Sequence, residues 1–408
     1  MHGRPLMIVV IAWNRPESLR RLLRSLESAD YGTAPSSMEL RFALDGAENA
    51  TVDAAIDEVI DAMHWPYGDT LVRRRTRRAG LRDNVLGSWT GDEGRAAVML
   101  EDDIEVSALW WHWTQAALDQ YAALPAVVGV SLFTPDDLNE AFDNGGGGTV
   151  GPDGRTRSCH WQADHLKPRS PQARGGGRDG AVSQAGVSAV LFGQPCSWGA
   201  LYLPEAWRSF RRRALELRAA AKPPDLPCPP DTPPERMSGP RACRVTANRW
   251  GRSSWKRLMV YHMAEQGLVM AYPNLPSRAS FSTNHVEPGQ HLASNALQGQ
   301  RMRHKVPLVD RSLCRRLEIG CDAYPDPPPE PADPPPFALP AADQIRTYDF
   351  YCRRQLEGDA GLAALADAGQ ALQAKARPLE PADAPPPDDD DGTEYLLRSR
   401  PPDQRVEL

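Results

Sequence analysis

The chain has 408 residues, and its 47 Lys and Arg against 53 Asp and Glu give a formal net charge of −6. Because proteins that capture nucleic acid electrostatically carry an excess of basic residues, this balance argues against that class. No apolar run reaches the roughly 18 positions that a membrane helix needs, so we expect no membrane span, and no signal or anchor, in this sequence. The 7 cysteines include no C-x-x-C pair, which argues against a zinc ribbon or a dense disulfide scaffold.

Alternating strand and helix patterns fill the first third of the chain. Short apolar runs predict strands over residues 6–12, 39–44, 70–73, 96–100 and 126–132. Between them, apolar residues at helical spacing predict helices, the first starting at Asn14 and Pro16 and the fourth capped by Ser107. Strands separated by helix-length crossovers imply the α/β class, with a mostly parallel sheet covered by helices on both faces.

Three segments rich in proline and glycine interrupt this pattern, at residues 143–186, 223–240 and 311–408. None has the apolar periodicity needed to offset the entropy of ordering it. We therefore expect two flexible insertions and a largely disordered, acidic, proline-rich tail around a helical patch at 360–376. The remaining chain, residues 1–310, is predicted to form one large domain.

Polar residues follow the ends of the predicted strands, where open parallel sheets bind their ligands. They are Trp13, Asn14 and Arg15 after the first strand, Asp45 and Gly46 after the second, the arginines of 74–78 after the third, and Glu101, Asp102 and Asp103 after the fourth. Carboxylates at two strand ends and a basic cluster at a third suit a ligand with hydroxyls and with phosphates bridged by a divalent cation. A nucleoside diphosphate fits this description.

The acidic triplet Glu101–Asp103 has two other interpretations. The three carboxylates can simply be solvated at the end of the strand. They can also form a phosphoacceptor site of the receiver type, which would require a lysine at the end of the fifth strand, where this sequence has Phe133, Thr134 and Pro135.

The sequence around these strand ends resembles a known enzyme class. A strand that ends in Glu-Asp-Asp and continues into a short apolar strand and a helix resembles the D-x-D region of nucleotide-sugar glycosyltransferases with the GT-A fold. N-acetylglucosaminyltransferase I, its family 13 relatives and the family 2-like group are the nearest in pattern. Residues 11–26, 42–46 and 80–84 are similar to the first βα unit, the second strand and the turn before the metal strand of such enzymes. Four later blocks are similar to those of uncharacterised plant and algal GT-A-like proteins, at residues 195–207, 254–257, 272–274 and 280–291.

The resemblance implies a Rossmann-like GT-A sheet, with a nucleotide-binding half at 1–135 and an acceptor half at 187–310. It implies a UDP-sugar donor, or less readily a GDP-sugar, together with a glycan acceptor, a Mn²⁺ or Mg²⁺ cofactor and a lumenal Golgi location. Carried over by position, the resemblance implies that Asp103 and His285 are metal ligands. It implies that Glu101 and Asp102 bind nucleoside or sugar hydroxyls and that Asp45 contacts the base or ribose. It also implies that Asn14 and Arg15 contact uracil and that Arg82 contacts the diphosphate. Helix-start or surface roles for Asn14, Arg15 and Arg82, and a structural role for His285, stay open.

Inversion at the sugar would also require a carboxylate that accepts the acceptor's proton. Glu205 and Glu265 are the candidates, each with the alternative of an ordinary helix or surface charge. Trp198, between Ser197 and Gly199, is the tryptophan most suited to stack on a sugar ring. A catalytically silent carbohydrate-binding or scaffold protein, and a sugar-phosphate nucleotidyltransferase, are the alternatives to a glycosyltransferase of the hexosyl or N-acetylhexosaminyl type.

Overall fold

Strands and helices alternate through the first hundred residues of the computed structural model. The structure describes residues 6–32, 38–46, 50–134, 149–150, 156–157, 188–219, 225–228, 245–249, 254–275, 279–285, 287, 305–310, 312–313, 339–351, 358–375 and 393–398. The first elements are β1 (Leu6–Ala12), α1 (Pro16–Glu27), β2 (Glu39–Leu44), α2 (Ala50–Asp61), β3 (Thr70–Arg75), α3 (Leu81–Ser88) and β4 (Ala96–Glu101). The helix predicted to start at Asn14 has Arg15 as its N-cap, with Pro16 in the first turn.

The second half of the chain adds shorter strands and longer gaps between elements. Its elements are β5 (Ile104–Val106), α4 (Trp110–Tyr121), β6 (Val127–Ser131), β7 (Thr149–Val150), β8 (Thr156–Arg157), β9 (Ser188–Phe192), β10 (Ala200–Tyr202), α5 (Pro204–Ala219), a 3₁₀ turn (Thr246–Arg249), α6 (Trp255–Gln266), β11 (Val269–Asn274), β12 (Ser282–Asn284), β13 (Arg346–Tyr348), α7 (Gly358–Lys375) and β14 (Thr393–Arg398). The hydroxyl of Ser107 accepts from the amide of Leu109 at 2.9 Å, just before α4 begins.

Ten strands form one sheet in the order β13-β9-β11-β6-β10-β4-β1-β2-β3-β14. Six of them, β3, β2, β1, β4, β6 and β11, run in the same direction, and the other four oppose them. The chain therefore has the α/β architecture expected from its sequence, a large and mostly parallel sheet consistent with a GT-A-like Rossmann fold. β10 is the antiparallel strand that separates β4 from β6.

All seven residues of β1 are buried, because helices cover both faces of the sheet. Leu6, Ile8 and Val10 join the core under α1 and α4, which includes Trp110 and Trp113. The alternate residues Met7, Val9 and Ile11 join a second core formed with α3, α5 and α6, which includes Trp207 and Trp255. These two cores explain why the strands read as continuous apolar runs rather than as alternating ones.

The described parts of residues 311–408 differ from the expected disordered tail. β13 pairs with β9 at one edge of the sheet, and β14 pairs with β3 at the other. α7 packs on α6 through Gly369, where a methyl group would lie 2.7 Å from the carbonyl oxygen of Glu265. Because a glycine surface carries no apolar signal in the sequence, this contact was not predicted.

The two expected insertions lie mostly outside the described residues, except for the β7–β8 pair and residues 225–228. In the part of the chain that the structure covers, no helix combines the length and apolar character needed to cross a bilayer.

Candidate functional site

The carboxyl ends of the parallel strands bring several predicted residues to one edge of the sheet. The carboxyl ends of β1 and β2 are adjacent, and the amide of Asp45 donates to the carbonyl of Ala12 at 3.0 Å. The amide of Asp102 donates to the carbonyl of Ile11 at 3.0 Å, just past β4. Because β2 lies on one side of β1 and β4 on the other, the loops that follow them diverge here, as at the ligand-binding crevice of other open α/β sheets.

Arg15 bridges this crevice to the acidic triplet. Its guanidinium contacts both carboxylate oxygens of Asp102, through Nη2 to Oδ1 and through Nε to Oδ2 at 3.3 Å. Its Nη1 lies 3.4 Å from Oδ2 of Asp103. Asp102 is 3% exposed, so this is a largely desolvated ion pair rather than a surface contact.

Burial dominates the protonation of the triplet. Burial, together with the charges of Asp103 and Asp102, raises the pKa of Glu101 to about 8, against the opposing effect of Arg15. Burial raises the pKa of Asp102 to about 6, and it also raises that of Asp103, in both cases against the opposing effect of Arg15. For Arg15 itself, burial lowers the pKa, but the charges of Asp102 and Asp103 raise it overall. At neutral pH Glu101 is therefore mostly protonated, and Arg15 offsets one of the two charges that Asp102 and Asp103 carry.

β5 and β12 form a two-stranded ladder beside the triplet, which explains why residues near His285 meet Asp103. The amide of His285 donates to the carbonyl of Asp103 at 2.9 Å, and Nδ2 of Asn284 donates to Oδ1 of Asp103 at 3.2 Å. The ring of His285 bonds elsewhere, with Nε2 lying 2.6 Å from the carboxylate of Glu105. The predicted neighbourhood of Asp103 and His285 is therefore formed, but through the backbone and not through a shared ligand.

Asp45, predicted to contact a nucleoside, organises the adjacent loop. Its carboxylate accepts the backbone amides of Ala79 at 2.7 Å and Gly80 at 2.8 Å, together with that of Gly46 at 2.9 Å. Because Gly80 directly precedes α3, Asp45 fixes the start of this helix at the same edge of the sheet.

Asn14 and Arg82, the other predicted ligand contacts in this half, lie on either side of the Asp45 loop. Asn14 is half-buried in the loop between β1 and α1. Arg82, in the first turn of α3, pairs with its neighbour Asp83 at 2.9 Å. Both residues therefore belong to segments that follow or begin at the carboxyl ends of the strands.

Trp198 reaches the same edge because β10 runs antiparallel to β4. The register pairs Ala200 with Met99, which places Trp198 opposite the end of β4. One face of the indole is covered by Lys256, whose Nζ lies 4.7 Å from the ring centroid, and the Phe133 ring packs against it at 4.8 Å. A sugar would therefore have to stack on the face that Lys256 leaves accessible or displace this ammonium group.

α6 connects the acceptor half to the acidic triplet. Trp255, its first residue, donates a side-chain hydrogen bond to Glu101. Lys256, the next residue, lies over Trp198. Two consecutive residues of α6 therefore contact Glu101 and the candidate stacking residue, respectively. Glu101 thus contacts the start of α6, whereas the side chain of Asp103 contacts Asn284 of β12.

Neither of the two carboxylates predicted as catalytic bases lies at this edge. Tyr202 pairs with Ala97, so the chain leaves β10 where β4 begins, and Glu205 lies at the opposite end of the sheet. Glu265, near the end of α6, is buried and held by Arg213 at 2.6 and 2.9 Å. The interpretation of Glu205 as a base is therefore corrected, because the antiparallel direction of β10 carries it away from the triplet.

The side chains at the predicted metal position do not fit a divalent ion as they are arranged. Mg²⁺ and Ca²⁺ need about six or more oxygen ligands at roughly 2.0–2.6 Å. Asp102 and Asp103 are both held by Arg15, and the ring of His285 is paired with Glu105. Across the described ranges, no group of three or more His, Cys, Asp and Glu side chains is placed to hold a metal ion. No step of the reaction is therefore assigned to a metal.

Two features of this edge were missed by sequence reasoning. The guanidinium of Arg78 stacks 3.6 Å from the centroid of the Trp13 ring, whose Nε1 donates to the carbonyl of Gly46 at 2.9 Å. Glu287, which follows β12 in the chain, accepts from Ser18 and from Arg21, the latter at 2.6 Å, and so contacts α1. The arginine cluster and the polar loop at 280–291 were the available signals, but neither pairing follows from residue spacing.

Comparison with known proteins yields only distant likeness. No protein-family model matches the chain, and no curated protein matches it. Among solved structures, S. aureus TarS residues 1–349 are 15% identical over 28% of this chain and 32% of that one, with a TM-score of 0.23. A longer S. aureus TarS structure is 13% identical over 34% of this chain and 24% of that one, with a TM-score of 0.27.

A third similar structure is mannosyltransferase PcManGT from Pyrobaculum calidifontis, in complex with GDP-Man and Mn²⁺. It is 18% identical over 31% of this chain and 35% of that one, with a TM-score of 0.23. The chain thus spans about a third or less of the length of the solved structures that it matches. Likeness at this level does not carry an argument about activity, which has to come from the site itself.

Proposed function

We propose that the protein is a glycosyltransferase that moves a sugar from a nucleoside-diphosphate sugar, with a UDP-sugar as the first candidate, to a hydroxyl of a glycan or other acceptor. The observation that carries this proposal is the meeting of Arg15 with Asp102 and Asp103 across the crevice between the ends of β1 and β4. Open α/β sheets bind nucleotides at this position. Carboxyl groups that can accept from ribose or sugar hydroxyls and a cation that can face a phosphate lie within one ion-pair network there.

The neighbouring side chains divide the crevice into two parts. On the β2 side, we assign Asn14, Asp45 and Arg82 to the nucleoside and its diphosphate. On the β10 side, Trp198 and the Glu101–Trp255 pair lie where the transferred sugar and the acceptor would meet. In the reaction, the acceptor oxygen attacks the anomeric carbon, the bond from this carbon to the diphosphate breaks, and the acceptor proton leaves to a base.

Protonated Glu101 has a specific use in this arrangement. A neutral carboxyl group can both donate to and accept from hydroxyl groups, whereas a carboxylate only accepts. Burial and the two neighbouring aspartates together raise the pKa of Glu101 to about 8, so it has both capacities at neutral pH. We therefore assign Glu101 to the binding of sugar hydroxyls, with Asp102 held by Arg15 beside it.

A donor screen tests the proposal. The full chain is incubated with UDP- and GDP-sugars and a mixture of hydroxyl acceptors, in EDTA and in Mn²⁺, and release of the nucleoside diphosphate is measured. We expect release with one donor and a loss of at least about tenfold in Asp102→Asn, because the pairing of Arg15 at the crevice is broken. Asp92→Asn, an exposed carboxylate in the loop before β4, is the matched control and should keep the rate. No release from any donor would contradict the proposal.

One observation favours a second function, that of a catalytically silent carbohydrate-binding protein. Both carboxylates predicted as bases lie away from the crevice, Glu205 at the opposite end of the sheet and Glu265 in an ion pair with Arg213. This alternative predicts binding of glycans without any release of nucleoside diphosphate. A glycan array on the full chain, run beside the donor screen, separates the two functions.

A further inference from the structure

Arg15 already holds the acidic triplet in the way that a bound cation would. Its guanidinium spans Asp102 through two nitrogens and reaches Asp103 with a third. Guanidinium and carboxylate match in a planar, two-bond geometry, which is the strongest form of such a pair. The side chain of Asp102 is 4% exposed and that of Asp103 is 13% exposed, so little water competes for either.

The remaining groups around Asp103 are also engaged. Its Oδ1 accepts from Asn284 at 3.2 Å, and its carbonyl accepts from the amide of His285 at 2.9 Å. The ring of His285 contacts Glu105 instead, with Nε2 lying 2.6 Å from the carboxylate. A divalent ion at Asp103 would have to break the Arg15 contact or lie beside a fixed positive charge, and it would lose His285 as a ligand.

We propose that Arg15 is the resident cation of this site and stands in place of a divalent metal ion. The guanidinium offsets one of the two negative charges of Asp102 and Asp103 in the free protein, and it offers its remaining N–H groups to an anionic ligand that enters the crevice. The binding of an anionic ligand rests on the proposed function, since the ligand would then be the diphosphate of a nucleotide donor. The replacement of a metal ion by Arg15 concerns the chain alone.

Binding of Mn²⁺ to the full chain, measured by electron paramagnetic resonance without any nucleotide, tests this inference. The wild-type chain should bind no ion tighter than about 1 mM, whereas Arg15→Ala should gain at least about tenfold in Mn²⁺ affinity, because the two aspartates lose their partner. Arg24→Ala, an exposed arginine on the same helix, is the matched control and should bind as weakly as wild type. Arg15→Lys keeps the charge and should gain little.

Two outcomes overturn the inference. One is Mn²⁺ binding by the wild-type chain that is as tight as in Arg15→Ala. The other is tight binding by wild type that Asp103→Asn removes, a comparison that remains valid even if Arg15→Ala fails to fold. Because this titration contains no nucleotide, its result does not depend on the donor screen, and failure of the proposed function leaves it interpretable. If a donor is turned over, the rate in EDTA should equal the rate in Mn²⁺.

Discussion

The ring of His285 lies 2.6 Å from the carboxylate of Glu105, and this contact joins the β5–β12 ladder across its two strands. The Glu105 side chain is 34% exposed, so water weakens the pair, and we expect a coupling of about 0.5–1 kcal/mol. A double-mutant cycle of His285→Ala and Glu105→Ala, measured by urea unfolding, should show this coupling. Strictly additive effects of the two substitutions would contradict a direct pair.

Asp45 should contribute to stability as well as to any ligand contact. Its carboxylate accepts three backbone amides, and an asparagine has a single acceptor oxygen that cannot replace both carboxylate oxygens. We expect Asp45→Asn to lower the free energy of unfolding by about 1–3 kcal/mol, because buried amides lose their partner. Chemical denaturation measures this, with the exposed Asp92→Asn as control. Equal stability of both variants would show that Asp45 does not hold the loop before α3.

The α6–α7 contact predicts that the distal helix belongs to the folded unit. A methyl group at Gly369 would lie 2.7 Å from the carbonyl oxygen of Glu265 and from the amide of Gly267, so Gly369→Val should push α7 away. Hydrogen exchange across 358–375 should then speed up at least about tenfold. Ala368→Val, at an exposed position of the same helix, controls for helix propensity and should leave exchange nearly unchanged. Fast exchange of 358–375 in the wild-type chain would contradict the docking.

His262 should make stability depend on pH. It is 2% exposed in the core between α5 and α6, and neither ring nitrogen has a hydrogen-bond partner among the residues that the structure describes. Burial, together with the charges of Arg213 and Arg212, lowers its pKa to about 4. The unfolded chain therefore binds more protons between pH 6.5 and about pH 4, so stability falls as the pH falls through this window. A shift of about 2.5 units corresponds to a loss of about 3 kcal/mol.

His262→Leu removes this titrating group and should flatten the pH dependence of the unfolding free energy between pH 6.5 and about pH 4.5. Urea unfolding at four pH values measures the effect, and His64→Asn, at an exposed position, should keep the wild-type slope. An unchanged slope in His262→Leu would show that other groups set the acid sensitivity.

The central strands could be predicted from the sequence because burial on both faces requires a continuous run of apolar residues. The apolar runs at 6–12 and 39–44 correspond to β1 and β2 residue for residue. β10 was not predicted, since three residues, Ala200–Tyr202, are too few for a periodic signal. Its antiparallel direction decides that Trp198 joins the crevice and that Glu205 does not.

At the candidate site, the strand-end rule predicted the edge but not the pairings within it. Arg15 and Asp102 are 87 residues apart in the chain, and their contact depends on β1 and β4 being neighbours in the sheet. The family resemblance implied a uracil contact for Arg15, and spacing alone could not show that this long side chain reaches Asp102 and Asp103. The resemblance likewise implied that His285 lies near Asp103, but it did not indicate that the ring contacts Glu105.

Hydrogen exchange of the full chain with and without saturating UDP tests most directly whether the crevice between β1 and β4 is the nucleotide site. Our account predicts that UDP slows exchange in the loops around residues 13–15, 45–46, 78–82 and 101–103. It also predicts no change at residues 203–208 on the opposite end of the sheet. Protection confined to that opposite end, or none at millimolar UDP and GDP, would contradict the account.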